Sequence, residues 1–176
     1  MTVEKIEIKE IGLPETDKLQ LISKQTFVET YADLNTKENM QKYLDENFAA
    51  EQLTRELSNP NSKFYFALLN NRVIGYLKLN FGQAQTELKD QQALEIERIY
   101  VLKEFHGRTV GQSFYEKAVA LAKEINAEYV WLAVWEKNPR AKSFYTKNGF
   151  VEFDRHIFKL GTDEQTDIMM KLQITK

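Results

Sequence analysis

The sequence predicts an α/β sandwich, a mixed sheet flanked by helices, in a single domain covering residues 1–176. Three observations predict it. Helical and strand periodicities alternate along the chain. The second half runs strand, helix, strand, helix, strand, and such crossovers call for parallel pairing. No linker, repeat or low-complexity segment divides the chain.

Residues 3–9 alternate weakly and suit an edge strand. Between residues 14 and 31, Leu19, Ile22, Thr26, Phe27 and Thr30 recur at helical spacing. Two shorter helices follow, over residues 37–47 and 51–57, stopped by Asn59, Pro60 and Asn61. Residues 64–69 and 72–81 read as the arms of a hairpin turning at Asn70 and Asn71, followed by a polar loop over 82–92. Residues 94–102 form a third strand. Val110, Phe114, Ala118, Leu121, Ala122 and Ile125 then line one face of a helix over 110–125. Residues 129–135 are a strand and 139–148 a short helix, and 150–158 and 167–174 are two closing strands.

Composition narrows the chemistry. Apolar residues make up 43% of the chain, with seven glycines and three prolines, an ordinary globular usage. A formal net charge of −2 gives no broad electrostatic pull toward nucleic acid, whose binding domains usually carry a basic patch. With no cysteine there is no disulfide, thiol nucleophile or thiolate metal site. The two histidines, His106 and His156, lie far apart, which speaks against a metal cluster or a Ser-His-Asp triad. Residues 1–30 carry no basic-then-apolar leader, and no run approaches the roughly 18 apolar residues of a membrane span. The expectation is a cytoplasmic protein without a membrane or nucleic-acid partner and without a metal.

The segment from Glu97 to Gly111 carries most of the functional information. A strand ends, a turn with Gly107 and Gly111 follows, and an amphipathic helix begins at once. The first amides of a helix lack internal partners and carry the positive end of its dipole, so they suit a pyrophosphate. Arg108 and His106 add basic side chains. A tight turn needing glycine for its own geometry would read the same way. In the preceding strand Leu94 and Ile96 share one alternation phase, Ile99 and Val101 the other. Either a bulge sits between them, beside an active site, or the strand is buried on both faces.

A second constellation follows the strand Trp131-Leu132-Ala133-Val134-Trp135. Asn138 is an N-cap, Pro139 the first helical residue and Gly149 a left-handed stop. Ala141, Phe144 and Tyr145 share the helix face between them.

Together these segments resemble the GCN5-related N-acetyltransferase (GNAT) superfamily. Its Arg/Gln-x-x-Gly-x-Gly/Ala turn corresponds here to His106-Gly107-Arg108-Thr109-Val110-Gly111. His106 stands where Arg or Gln is usual, and Thr109 replaces the central glycine. Ile96-Glu97-Arg98-Ile99-Tyr100-Val101 with Asn138, Arg140-Ala141, Phe144-Tyr145 and Gly149-Phe150 is similar to the spermidine/spermine N-acetyltransferases. Phe27–Asp33 and Lys37–Met40 look like the bacterial PaiA-type members. The resemblance implies a mixed, largely antiparallel sheet with a splayed central strand pair, and acetyl-CoA as cosubstrate. The pantetheine would pair with the backbone of Ile99 and Val101, and the pyrophosphate with the amides of Gly107, Arg108, Thr109, Val110, Gly111 and Gln112, beside His106. Asn138 would bond the cofactor as well as cap its helix. Lys147 either reaches a CoA phosphate or is a solvated lysine.

The same resemblance implies direct attack of an amine on the thioester in a ternary complex. At pH 7 about one primary amine in a thousand is neutral, so a base helps. Glu97 would be that base, directly or through water, or else a strand residue paired with Arg98. The Tyr100 or Val101 N–H would hold the oxyanion, and Tyr145 would protonate the leaving thiolate, unless its role is packing alone. Glu29, Asp33 and Glu38 are either a rim attracting cations or a solvated helix face. The acceptor is expected to be a small-molecule amine, a polyamine such as spermidine or spermine. A protein N-terminus, an amino acid, an aminoglycoside, or a CoA-sensing role without turnover are the alternatives. A homodimer is left open.

Overall fold

The structure, a computed structural model, describes residues 4–175. Its strands are β1 (Ile6–Ile11), β2 (Ser62–Leu69), β3 (Arg72–Phe81), β4 (Ala93–Val101), β5 (Tyr129–Trp135), β6 (Val151–Leu160) and β7 (Asp163–Gln173). Its helices are α1 (Thr16–Tyr31), α2 (Lys37–Asn47), α3 (Ala50–Leu57), α4 (Val110–Glu124) and α5 (Pro139–Lys147). The expected edge strand begins at Ile6, and residue 3 lies outside the described residues.

The strands form one sheet in the order β1-β2-β3-β4-β5-β7-β6. Only β4 and β5 pair in parallel, joined by the α4 crossover; the other neighbours are antiparallel. The β2–β3 hairpin turns on Asn70 and Asn71 with φ of 50° and 65°, the left-handed pair that matches the twist of the strands.

The second crossover differs from expectation. α5 leads from β5 to β6, yet β7 lies between them. Burial gives the reason: β7 carries Ile168, Met169 and Met170 into the interior, whereas β6 is mostly exposed and suits an edge. β7 also begins at Asp163, four residues before the expected start.

α1, the first long helix, packs on β3 and β4, with α2 and α3 beside it. Leu19, Ile22 and Phe27 are its buried stripe, and they join Phe64, Phe66, Leu77 and Leu79 in the main core. α4 packs against the sheet through Phe114, Ala118 and Leu121. Among the described residues no helix is long and apolar enough to cross a membrane.

Candidate active site

The site begins with a single extra residue. Lys78 of β3 pairs with Arg98 and Leu79 with Ile96, so Glu97 is bulged out of the ladder. That bulge is the source of the phase shift between Ile96 and Ile99. On the other side of β4, parallel pairing to β5 stops at Ile96–Leu132, while β5 continues to Trp135 alongside β7. The central strands therefore splay. Leu102 N–H donates to the Ile74 carbonyl at 2.9 Å. Alternation along β4 then turns the backbone groups of Ile99 and Val101 to the open side and those of Tyr100 toward β3.

A cleft of about 410 Å³ opens at this splay. Ile99, Tyr100 and Val101 form its floor, and the start of α4 forms one wall. Thr109 precedes that helix at φ 65°, in the left-handed region, and no side chain caps the helix. α2 and α5, by contrast, are capped by Thr36 and Asn138. The first amides of α4, at Val110, Gly111 and Gln112, thus stay free where they line the cleft. Gly107 holds φ +80° with open space at its Cβ position, so glycine serves conformation there. An uncapped helix start in a cleft fits a pyrophosphate.

His106 lines the same cleft and bridges it. Arg140 donates to its Nδ1 at 2.5 Å, and because arginine only donates, Nε2–H must donate to the Val101 carbonyl at 2.9 Å. Asn138 Oδ1 accepts from Ala141 N–H at 3.2 Å and the residue also faces the cleft. Tyr145 closes the inner end at 5% exposure, its ring edge-on to Phe144 and Phe150. Burial alone pushes its phenol well above the usual tyrosine range. Among the described residues no hydrogen bond engages that hydroxyl.

Two residues expected to contact the cofactor do not line this cleft. The Arg108 side chain is exposed, over the Phe105 ring and 4.0 Å from Glu4. Lys147 is exposed and absent from the cleft, because two residues along a helix from Tyr145 is about 200° around it. Residues given no role by the sequence also line the cleft: Thr30 from α1, Phe105, Arg140, Ala141 and Phe144. The helix face shared by Ala141, Phe144 and Tyr145 was the available signal for two of them.

On the α1–α2 face of the sheet lies a second pocket of about 260 Å³, and Tyr100 lines both. Its walls are aromatic, with Tyr31 5.8 Å from Trp135 and Tyr43 5.9 Å from Phe158 between ring centres. Glu97 faces it, but its carboxylate is occupied. Lys78 Nζ lies at 2.5 Å, Asn80 donates at 2.7 Å, and Arg98 stands at 3.5 Å. Burial would raise its pKa, yet the Arg98 and Lys78 charges outweigh burial and lower it. The residue expected as the base is therefore a carboxylate already engaged by Lys78, Asn80 and Arg98. Glu29, Asp33 and Glu38 line neither cavity, and Glu29 accepts the Lys103 N–H at 2.8 Å. They are a solvated face.

Comparison with known proteins places this geometry among relatives. The acetyltransferase (GNAT) family profile matches residues 25–150. An uncharacterised N-acetyltransferase from the pepI 3′ region of Lactobacillus delbrueckii subsp. lactis is 40% identical over 166 residues, 94% of each chain. A spermidine N(1)-acetyltransferase from Thermoplasma acidophilum is 25% identical over 149 residues, 82% of this chain and 88% of the relative. The fold is shared with the crystal structure of PaiA N-acetyltransferase from Thermoplasma acidophilum in complex with coenzyme A. That match has a TM-score of 0.78 at 23% identity, over 96% of this chain and 99% of that one.

Proposed function

Since the chain belongs to the acetyltransferase (GNAT) family, we propose that it acetylates the primary amine of a small polycation, of the polyamine class, in the cytoplasm. It is an acetyl-CoA-dependent N-acetyltransferase; the acceptor is the part proposed. The observation that carries the reading is the chemistry of the second pocket. Four carboxylates and a set of aromatic rings line it; Arg98 is offset by Glu56 at 2.8 Å and Glu97 by Lys78 at 2.5 Å, which leaves Glu87, Glu95 and Asp167 in excess. Such a surface favours alkylammonium groups through charge and cation–π attraction. The likeness to a spermidine acetyltransferase supports the same class.

Acetyl-CoA, when bound, supplies the thioester acyl group. The free amides of Val110, Gly111 and Gln112 suit its pyrophosphate, and the open backbone of Ile99 and Val101 suits its pantetheine arm. The Val101 N–H, on the open side of β4, would polarise the acetyl carbonyl. Tyr145, protonated at pH 7 as an ordinary phenol is, with burial raising its pKa further, would give its proton to the departing sulfur. A chain without cysteine has no thiol to carry the acetyl group, so transfer runs directly from thioester to amine.

A free-thiol release assay against an amine panel tests the acceptor. Spermidine and spermine should give the highest kcat/KM. Turnover confined to peptide N-termini, amino acids or aminoglycosides would replace the polyamine reading. Acetyl-CoA binding without turnover of any amine would replace catalysis with sensing.

A further inference from the structure

Of the four carboxylates around the second pocket, three are committed to protein partners. Glu87 accepts from His156 Nε2 at 2.7 Å. Glu95 takes the Thr86 hydroxyl at 2.5 Å and N–H at 2.9 Å, together with Asn80 at 3.1 Å. Glu97 is held by Lys78 and Asn80. Asp167 is different: among the described residues no hydrogen bond and no cation within ion-pair distance engages its side chain. It stands at the pocket wall on β7, opposite Trp135 of β5 and His156 of β6. The Trp135 indole N–H beside it is buried and without a partner. An uncommitted carboxylate and an uncommitted donor therefore adjoin, under the rings of Tyr31 and Phe158.

We propose that Asp167 binds the ammonium group of the acceptor amine and takes its proton, which rests on the reading that this pocket holds the acceptor. The groups facing it support the assignment. Tyr31 of α1 and Tyr43 of α2 have pKa values raised, chiefly by burial, so they stay neutral and leave the carboxylate as the basic site. Tyr100 of β4 behaves likewise. Burial raises Asp167 itself to about 6, with the charge of His156 opposing. A carboxylate so tuned is ionised at neutral pH yet a better base than an ordinary one.

The protons balance as follows. The ammonium gives one proton to the Asp167 carboxylate. The freed nitrogen lone pair forms the bond to the acetyl carbon as the carbon–sulfur bond breaks. The sulfur leaves with the Tyr145 proton, and the second nitrogen proton returns to Tyr145 through solvent. Asp167 then loses its proton to water, so each turnover releases one proton.

The test is titration of spermidine into the protein saturated with coenzyme A. Asp167→Asn should weaken spermidine by about thirty-fold or more, as loss of one member of a desolvated charge pair does, with coenzyme A affinity unchanged. The kcat/KM of the wild type should rise with pH through about 6, and the variant should lack that limb. A stability readout is independent of any substrate. Because the folded pKa is raised, the contribution of Asp167 is present below the ordinary carboxylate pKa and is lost as pH rises through about 6. Asp167→Asn should therefore melt above the wild type at pH 8 and not at pH 4. His156→Gln should shift the kinetic limb to higher pH, since it removes a charge that lowers the Asp167 pKa. Unchanged spermidine affinity in Asp167→Asn, or an unmoved limb in both variants, overturns the proposal while the acceptor reading survives. A wild-type coenzyme A complex that binds no spermidine overturns both.

Discussion

The ammonium of Lys78 lies 2.5 Å from the carboxylate of Glu97, inside a four-residue network completed by Glu56 and Arg98. The two cations and two anions sit at the bulge that starts the β4–β5 splay, and all four side chains are less than 20% exposed. Charge there is balanced, so removing one member leaves a buried ion without its partner. Lys78→Met should cost about 3 kcal/mol or more in urea unfolding at pH 7. A loss below about 1 kcal/mol would mean that water reaches the network.

Acid should weaken the same region. Burial would raise the Glu56 pKa, but the charge and hydrogen bonds of Arg98, helped by Lys78, bring it down to about 2. A depressed folded pKa means the stabilisation is present above the ordinary carboxylate value of 4.5 and is lost as pH falls toward 2. Thermal melts between pH 5 and 2 should show the decline, and Glu56→Gln should flatten part of it.

The network also marks where sequence reading ran out. The alternation break between Ile96 and Ile99 made the bulge legible, and the Gly107–Gly111 turn made the cleft legible, because both are local. Pairing of Glu97 with Arg98 was open from the sequence, but its hold by Lys78 was not legible, since Lys78 and Glu56 arrive from β3 and α3, far along the chain. Asp167 was hidden for the same reason: nothing local to β7 tells that α1, α2 and β6 converge on it. The β7–β6 exchange depended on relative burial of two strands, which alternation within each strand does not compare.

Thr109 is a β-branched residue at φ 65°, a conformation that crowds its Cβ against the backbone. Thr109→Gly should relieve that strain and raise stability by up to about 1 kcal/mol, offset in part by glycine's unfolded-state entropy. Chemical denaturation measures the change. Acetyl-CoA affinity should hold or improve, since the amides at the start of α4 are retained.

Gly111 faces the cleft with the Phe144 ring 3.7 Å from its would-be Cβ, ordinary contact that leaves room for a methyl. Gly111→Ala should fold and bind acetyl-CoA with modest loss. Gly111→Asp should also fold, because a carboxylate in the first turn favours the helix dipole. The same carboxylate would repel a pyrophosphate, so calorimetry should find affinity reduced about 100-fold relative to Ala, on the order of 3 kcal/mol. Equal affinity in the two variants would remove the pyrophosphate from this helix start.

Tyr145 offers the sharpest test, because one oxygen separates its two readings. Its ring packs edge-on against Phe144 and Phe150, and its hydroxyl faces the cleft without a protein hydrogen bond. Tyr145→Phe keeps the ring, so the melting temperature and acetyl-CoA affinity should be preserved. If the phenol protonates the departing sulfur, kcat should fall about 100-fold or more, the range of a general acid. KM for acetyl-CoA should stay nearly constant, since a group acting mainly in the transition state adds little to ground-state binding. A thiol-release assay with saturating spermidine reads both constants. Wild-type kcat in a well-folded Tyr145→Phe protein would make the residue part of the core and leave water as the proton donor.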